Sequence, residues 1–284
     1  METKADLHAH PHFFNPESHK RGIPNLQQVV DKISLSGLDI CSISACHPAK
    51  GMFDRRFFEY MEQLGELEAE FDISYNRTYL HLRRKHPDNK PHEPAEIVIL
   101  NSQEVRTLYQ NRHADINVIG VKELLEPEED IEETAKKSQD LGGIVLVSHP
   151  GSMCGAGLEK SVDLLDKGCV DGIEGYVGIE KKKINQKVMD YLASLQIKAL
   201  AVGDAHHYSQ FGIAYTMFMA SLIENGSFLL QNLKKAIKEQ QFNIHEGSIG
   251  AFSSFWHHER YILASIPVHI IRRPTYFMRS FLKR

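Results

Sequence analysis

The chain opens with Asp6-Leu7-His8-Ala9-His10, and much later it contains Gly203-Asp204-Ala205-His206-His207. The apolar stretch Ala199-Leu200-Ala201-Val202 leads directly into the second of these motifs. Residues i and i+2 of a β-strand point to the same face, so each motif presents a pair of ligand-type side chains on one side of its strand. Two such pairs at strand ends predict a metal centre at the mouth of a barrel or sheet.

Further ligand-type side chains follow other apolar runs of the chain: His47, Glu104 and His149, with His113 shortly after Glu104. Parallel strands that are buried on both faces are continuous apolar runs, and functional groups collect at their C-terminal ends. A single His-x-His pair among 16 histidines would be weak evidence for a metal. Packing alone does not predict a polar ligand type at the end of nearly every candidate strand, so the recurrence favours a metal site.

The composition is that of an ordinary globular protein. The 284 residues include 42% hydrophobic and 25% charged residues, a length that suits one large α/β domain or two small ones. A net charge of −4 gives no general attraction to nucleic acid or anionic lipid. No C-x-x-C pair, secretory signal or spanning apolar segment is present, so a reduced, cytoplasmic protein is expected.

Predicted strands alternate with predicted helices along the chain. The strands are Ala5–His10, Leu38–Ser44, Ala95–Leu100, Ile116–Val121, Gly143–Ser148, Gly172–Tyr176 and Ala199–Val202. The helices are Asn25–Ser36, Asp54–Phe71, Pro127–Leu141, Leu158–Lys167 and Ile184–Leu195. This alternation favours right-handed βαβ units and a mostly parallel sheet that is closed or nearly closed.

Two segments fall outside this alternation. The polar, proline-rich segment 72–94 is expected to be an irregular loop, and its His81, His86 and His92 are expected at the surface. The tail 251–284 mixes aromatic with cationic residues. Two interpretations of the tail are open: a segment that contacts a membrane surface or a protein partner, or a terminal segment packed on the barrel.

The ordered set of motifs resembles the polymerase and histidinol phosphatase (PHP) family of metal-dependent phosphoesterases. The matching pieces run in the right order from the N-terminus to about residue 210: Asp6-Leu7-His8-Ala9-His10, Gly37-Leu38-Asp39 with His47, Gln103-Glu104-Val105 with His113 and Asn117-Val118-Ile119-Gly120, Ser148-His149-Pro150, Asp171-Gly172-Ile173-Glu174 and Gly203-Asp204-Ala205-His206. The set of motifs, in this order, is specific to that family.

The resemblance implies an α/β fold over residues 1–250, a distorted (β/α)7 TIM-like barrel with its metal site at the C-terminal ends of the strands. It also implies two or three divalent ions, of zinc, manganese or iron. Carried over by residue, His8, His10, Glu104 and Asp204 would hold one ion. Glu104 would bridge to a second ion held by His113 and His149, and His47 with His206 would hold a third.

Two departures from the family pattern fall around the third ion. The family usually has Asp before the histidine of the second motif, where this chain has Cys46. It also usually has Asp or His a few residues after the first motif, where this chain offers Asn15, with His12 and Glu17 nearby. The third ion is therefore expected to be weakly held, differently ligated or absent.

The resemblance implies a phosphatase that hydrolyses a phosphorylated small molecule or nucleotide by means of a metal-bridged hydroxide. Glu104, Asp204 and His206 would be its catalytic residues, and Arg106, Arg112 and His207 are candidates to bind substrate. Stable binding of nucleic acid is not expected. Two alternatives are an amidohydrolase-like metal hydrolase and a catalytically weakened scaffold with a regulatory role.

Overall fold

The computed structural model describes residues 2–10, 24–47, 56–207, 210–224 and 227–247. The strands are β1 (Thr3–Ala9), β2 (Ile40–His47), β3 (Phe71–Tyr75), β4 (Tyr79–Arg84), β5 (Glu96–Tyr109), β6 (Arg112–Ile119), β7 (Ile144–Val147), β8 (Gly172–Val177), β9 (Leu200–Val202), β10 (Tyr215–Phe218), β11 (Ile223–Glu224), β12 (Ser227–Phe228) and β13 (Phe242–His245). The helices are α1 (Leu26–Leu35), α2 (Arg56–Met61), α3 (Ile131–Asp140), α4 (Leu158–Asp166), α5 (Lys182–Ser194) and α6 (Leu230–Lys238). Two short 3₁₀ helices cover Leu64–Glu66 and Pro87–Asn89.

The main sheet has the strand order β13-β10-β1-β2-β5-β6-β7-β8-β9. The β3–β4 hairpin joins it through β4, which pairs antiparallel with residues 96–100 of β5. The chain that follows β9 returns to β1, because Ala205 forms a parallel bridge with Ala9 and the Asp204 amide donates to the His8 carbonyl at 2.8 Å. The sheet is thus a nearly closed barrel. The pairs β1–β2, β2–β5, β7–β8 and β8–β9 are parallel, whereas β6 runs antiparallel to both β5 and β7.

Apolar side chains fill the barrel and the two layers outside it. Leu7, Ile40, Val98 and Leu146 are fully buried inside one cluster that includes the apolar face of α6. A second cluster consists of side chains from α1, the β3–β4 hairpin and the strands beside them. A third cluster joins α3, α4 and α5 to their neighbouring strands. This burial leaves the strand ends as the place where polar side chains meet.

Four of the five predicted helices are present with shifted ends, as α1, α3, α4 and α5. α1 begins after Asn25, whose side chain accepts from the Gln28 amide at 2.9 Å, while the Gln28 side chain accepts from the Asn25 amide at 3.0 Å. This capping box fixes the first turn. α3 begins at Ile131 rather than at Pro127. The Asp130 side chain caps the helix because it accepts hydrogen bonds from the backbone amides of Glu132 and Glu133.

The structure differs from the sequence prediction between residues 54 and 94. The predicted helix Asp54–Phe71 is wrong, since α2 ends at Met61 and β3 begins at Phe71. The predicted irregular loop 72–94 contains the β3–β4 hairpin, which pairs with β5. His81 is buried there rather than exposed, and its Nε2 lies 2.8 Å from Oε2 of Glu96. Pairing with β5 therefore overrides the polar composition of the segment.

None of the helices in the described part of the chain is long and apolar enough to cross a membrane. The tail 251–284 lies outside the described residues. The domain boundary at residue 250 and both interpretations of the tail stay predictions.

The hairpin provides a test of this fold. Leu80 on β4 is fully buried, so Leu80→Ala should lower the free energy of unfolding by about 2–5 kcal/mol through the cavity it leaves. Tyr75→Ala, at an exposed position of β3, should change it by less than about 0.5 kcal/mol. Chemical denaturation measures both changes. Equal, near-zero effects would show that the segment is the loose loop that composition suggests.

Candidate metal centre

The first motif and the last one meet at one end of the barrel. His8, His10 and Asp204 are buried and could hold a cation together. The Nε2 atoms of His8 and His10 lie 2.9 Å apart, and Asp204 Oδ1 lies 3.7 Å from each of them. Bonds of about 2.0–2.2 Å to one ion put neighbouring ligand atoms on the order of 3–3.5 Å apart, so these three atoms are close to a coordination shell.

Hydrogen bonds fix which nitrogen of each ring faces the cluster. His8 Nδ1 lies 2.9 Å from a carboxylate oxygen of Glu174, and His10 Nδ1 lies 2.7 Å from the Ser44 carbonyl. Both partners are acceptors, so both Nδ1 atoms carry the proton. The two Nε2 lone pairs then face each other, and only a proton or a cation between them makes that approach favourable. Glu174 is thus the residue that orients His8.

A second group consists of Glu104, Asp115 and His149, all buried. His149 Nε2 lies 2.8 Å from Glu104 Oε1, and His149 Nδ1 lies 2.8 Å from the Ser152 hydroxyl. Glu104 also reaches the first group, because its Oε2 lies 3.3 Å from His10 Nε2. The Glu104 carboxylate therefore stands between the two groups.

Burial and charge together shift the pKa values in the cluster. Burial opposes protonation of His8, but the Glu174 carboxylate and two further carboxylates outweigh it and raise the pKa of His8 to about 10. Burial raises the pKa of Asp204 to about 6, against the opposing effect of His8. For Glu104 the burial effect is outweighed by hydrogen bonds from two histidines, which hold its pKa well below the ordinary value. The carboxylates and imidazoles of the cluster therefore favour positive charge between them, and bound cations would supply that charge.

Two buried carboxylate oxygens without a hydrogen-bond partner in the described residues also indicate that the site suits cations. Within the described ranges, Asp204 Oδ1 and Asp115 Oδ2 are buried carboxylate oxygens with no hydrogen-bond partner. An orphaned carboxylate oxygen costs free energy unless a cation or a donor satisfies it. Because each of these atoms belongs to one of the two groups, the donor set fits divalent metal ions.

Two of the candidate ligands occupy the left-handed region of backbone conformation, His149 with φ 27° and Asp204 with φ 48°. Non-glycine residues are uncommon there, and such strain clusters at functional sites. The surroundings hold both in place. The His149 amide donates to Glu174 Oε2 at 3.1 Å, and the Gly203 amide donates to Asp6 Oδ1 at 2.8 Å. A Cβ at position 203 would collide with the Asp6 carboxylate, which explains glycine there.

A buried polar layer lies beneath the ligands and joins the strands that carry them. The Ser102 hydroxyl lies 2.7 Å from the hydroxyls of both Ser42 and Ser44, and Ser44 also donates to the Asn117 side-chain oxygen at 3.2 Å. Asn117 in turn donates to the Leu7 carbonyl at 2.7 Å. These bonds tie β1, β2, β5 and β6 into one rigid frame under the metal centre.

The structure does not bring His113 into either group. In the β5–β6 register His113 lies opposite Leu108, whereas Asp115 lies opposite Arg106 and Asn117 opposite Glu104. His113 therefore lies four positions along β6 from Asn117, the residue opposite Glu104, which is a distance of about 13 Å along the strand. His113 is exposed, and Asp115 stands with Glu104 and His149 instead. The antiparallel course of β6 is the physical reason for this correction.

Asp115 was missed by the sequence analysis, although a signal for it exists. Asp115 and Asn117 are polar residues at i and i+2 within an otherwise apolar strand, the same spacing as His8 and His10. Both are buried. A polar pair of this kind inside a buried strand points to a functional site, since it has no role in an apolar core.

The remaining predicted site residues lie as follows. His206 is buried beside Asp204, with its Nδ1 2.8 Å from the Asp204 carbonyl and its ring 5.0 Å from the His10 ring. His207 is partly buried, and its amide donates to the Gln210 side chain at 3.1 Å. Arg112 is exposed at the start of β6.

Arg106 is buried, and its Nε lies 3.3 Å from Asp115 Oδ1, so this cation is engaged with a carboxylate of the second group. His47 ends β2 opposite Val105, and its side chain lies outside the described part. Cys46 is buried opposite Glu104 in the β2–β5 register. Residues 11–23, with His12, Asn15 and Glu17, also lie outside it, so the expectations about the third ion stay predictions.

Solved structures share this fold. A two-domain protein from Bacteroides vulgatus, described as containing a predicted PHP-like metal-dependent phosphoesterase, matches with a TM-score of 0.56 at 16% identity over 87% of this chain and 65% of its own. PsfC from Pseudomonas syringae matches with a TM-score of 0.54 at 14% identity, over 93% of this chain and 96% of its own. Endonuclease Q, solved with a duplex substrate that has an abasic lesion, matches with a TM-score of 0.52 at 15% identity, over 84% of this chain and 57% of its own. No protein-family model and no curated protein matches the sequence.

The chain therefore has the fold of the PHP-like metal-dependent phosphoesterases, and the α/β barrel expected from the sequence is confirmed. The resemblance to the PHP family is confirmed at the level of the fold. The chain spans 65% of the length of the Bacteroides protein and 57% of that of Endonuclease Q.

The placement of Asp115 leads to a direct prediction. Asp115→Asn keeps the shape of the side chain but removes its charge, and it should lower the bound metal by about one equivalent per chain. His113→Ala, on the same strand, should leave the metal content unchanged. Equilibrium dialysis followed by elemental analysis measures both. Loss of metal from His113→Ala alone would overturn the assignment.

Proposed function

We propose that the protein is a metal-dependent phosphoesterase, a phosphatase that hydrolyses a phosphorylated small molecule or nucleotide. The observation that carries this proposal is the position of Glu104 between the two groups, 2.8 Å from His149 and 3.3 Å from His10. A carboxylate in that position can bridge two cations, the arrangement that two-metal phosphoesterases use. Ions held there would supply the activation of water and the charge neutralisation that phosphoryl transfer needs.

The residues of the chain take distinct parts in this proposal. Glu104 and Asp204 would each hold a cation, and His206 lies beside Asp204 and His10. His207 is proposed to protonate the leaving oxygen from its partly buried position. Since Arg106 is engaged with Asp115, its proposed part is to hold that carboxylate in place, and any contact of Arg106 with a phosphate is secondary.

The exposed Arg112 remains a candidate for binding substrate further from the ions. A small substrate is favoured over nucleic acid because the net charge of −4 gives no general attraction to a polyanion. Zinc, manganese and iron are the proposed cofactors, since the donors mix imidazole with carboxylate.

Hydrolysis of a chromogenic phosphomonoester tests the proposal. Activity should depend on added manganese or zinc. Removing a residue that only orients a metal ligand typically lowers metal affinity or activity by about 10–100-fold. His149→Ala and Asp204→Asn remove proposed ligands themselves, so each should lower kcat/KM by more than about 100-fold. His113→Ala is the matched control, because its ring is exposed outside both groups. Wild-type rates in the two ligand variants would contradict the site.

The same assay distinguishes the substrate classes when a phosphodiester and an oligonucleotide are tested beside the monoester. Faster cleavage of the oligonucleotide would favour a nuclease over a small-molecule phosphatase. Metal-loaded protein that is inactive on all three would refute the proposal and leave an amide or lactone hydrolase, or a scaffold, in its place.

A further inference from the structure

The two groups of the metal centre differ in the chemistry of their donors. The first group, His8, His10 and Asp204, offers two imidazole nitrogens and one carboxylate, whereas the second, Glu104, Asp115 and His149, offers two carboxylates and one imidazole. We propose that the two sites prefer different cations, the first a zinc-like ion and the second a harder ion such as manganese. The inference rests on the proposed function only in taking both groups as cation sites.

The first site is built to present nitrogen. Glu174 accepts a hydrogen bond from Nδ1 of His8, and the Ser44 carbonyl accepts one from Nδ1 of His10. The Nε2 atoms of the two rings, 2.9 Å apart, are thus left as the metal-binding nitrogens. The carboxylate behind His8 also makes its imidazole more basic. Paired imidazoles of this kind suit zinc, iron and copper better than magnesium or manganese.

The second site is built to present oxygen. Asp115 is 1% exposed, and its Oδ1 is held at 3.3 Å by the Arg106 guanidinium. Its other oxygen, Oδ2, is buried and has no hydrogen-bond partner in the described part of the chain. Arg106 thus fixes the carboxylate through one oxygen and leaves the second for a cation. Because Arg106 comes from β5, two residues beyond Glu104, the same strand supplies one ligand and positions the next.

The number of imidazoles distinguishes the two groups even when Glu104 is shared between them. The second group has one imidazole against two in the first, so its donors are harder on balance. Zinc binds almost any site of nitrogen and oxygen donors more tightly than manganese does, so the preference concerns the ratio of the two affinities at each site. That ratio should favour manganese more at the second site than at the first.

Metal-depleted full-length protein is the material for the test. It is given one equivalent of zinc followed by excess manganese and then crystallised. Anomalous scattering recorded on both sides of the zinc and manganese absorption edges locates each metal. The expected result is zinc beside His8 and His10 and manganese beside Asp115. Zinc in both sites at equal occupancy, or the two metals reversed, would overturn the proposal.

Substitutions sharpen the test. Asp115→His replaces an oxygen donor by a nitrogen donor, and the manganese-to-zinc affinity ratio of the second site should fall by at least about tenfold, equivalent to about 1.4 kcal/mol. His113→Asp is the reciprocal control on the same strand, and the ratio should not change. Competition measured by the electron paramagnetic resonance signal of free Mn²⁺ gives these ratios without any assay of activity.

If Asp115→His fails to fold, Asp115→Asn serves instead, because the amide keeps the contact to Arg106 without the charge. This variant should lose the manganese and keep the zinc, and loss of the zinc instead would overturn the proposal. The outcomes are separable from those of the proposed function. An inactive protein with divided metals would refute only the phosphatase, and an active protein with identical metals would refute only the division.

Discussion

Carboxylates and imidazoles are packed against each other at the mouth of this barrel, and they need positive charge between them. Asp204 and Asp115 each bury a carboxylate oxygen that has no hydrogen-bond partner in the described residues, and the facing nitrogens of His8 and His10 are only 2.9 Å apart. In a core without cations this arrangement would oppose folding. Bound divalent ions would turn the same contacts into stabilising ones, and metal binding would then be coupled to the stability of the nearly closed barrel.

The surrounding fold is arranged to keep these donors in place. Glu174 serves both ends of the site, because one of its oxygens meets the His8 ring and the other accepts from the His149 amide. Asp6 performs a similar task for the opposite turn, where it holds the Gly203 amide next to the strained Asp204. Ligands fixed in this way lose little further freedom when an ion binds, which favours tight and specific coordination.

Much of the site could be predicted from local sequence, because ligands at the ends of parallel strands leave a local pattern. His149 and Asp204 each follow an apolar run, His8 and His10 form a pair at spacing i and i+2, and the structure places all four in the two candidate groups. His113 could not be placed correctly, since its position depends on the antiparallel register of β5 and β6, which no local pattern records.

The fold shows the same division between local and long-range information. Helices α1, α3, α4 and α5 follow from amphipathic spacing and caps such as Asn25, whereas the predicted helix Asp54–Phe71 is wrong and α6 was not among the predicted helices. The β3–β4 hairpin does not follow from polarity, because its strands are stabilised by pairing with the distant β5. The strands from β10 onward were likewise not among the predicted elements, since β10 is ordered by antiparallel pairing with β1 at the far end of the chain.

The central claim is that cations complete this cluster. Elemental analysis of the full-length protein, purified without exposure to a chelator, tests it most directly. The account predicts two or more equivalents of transition metal per chain, because two separate donor groups are present. Metal at background level, in protein shown to be folded by circular dichroism, would contradict it.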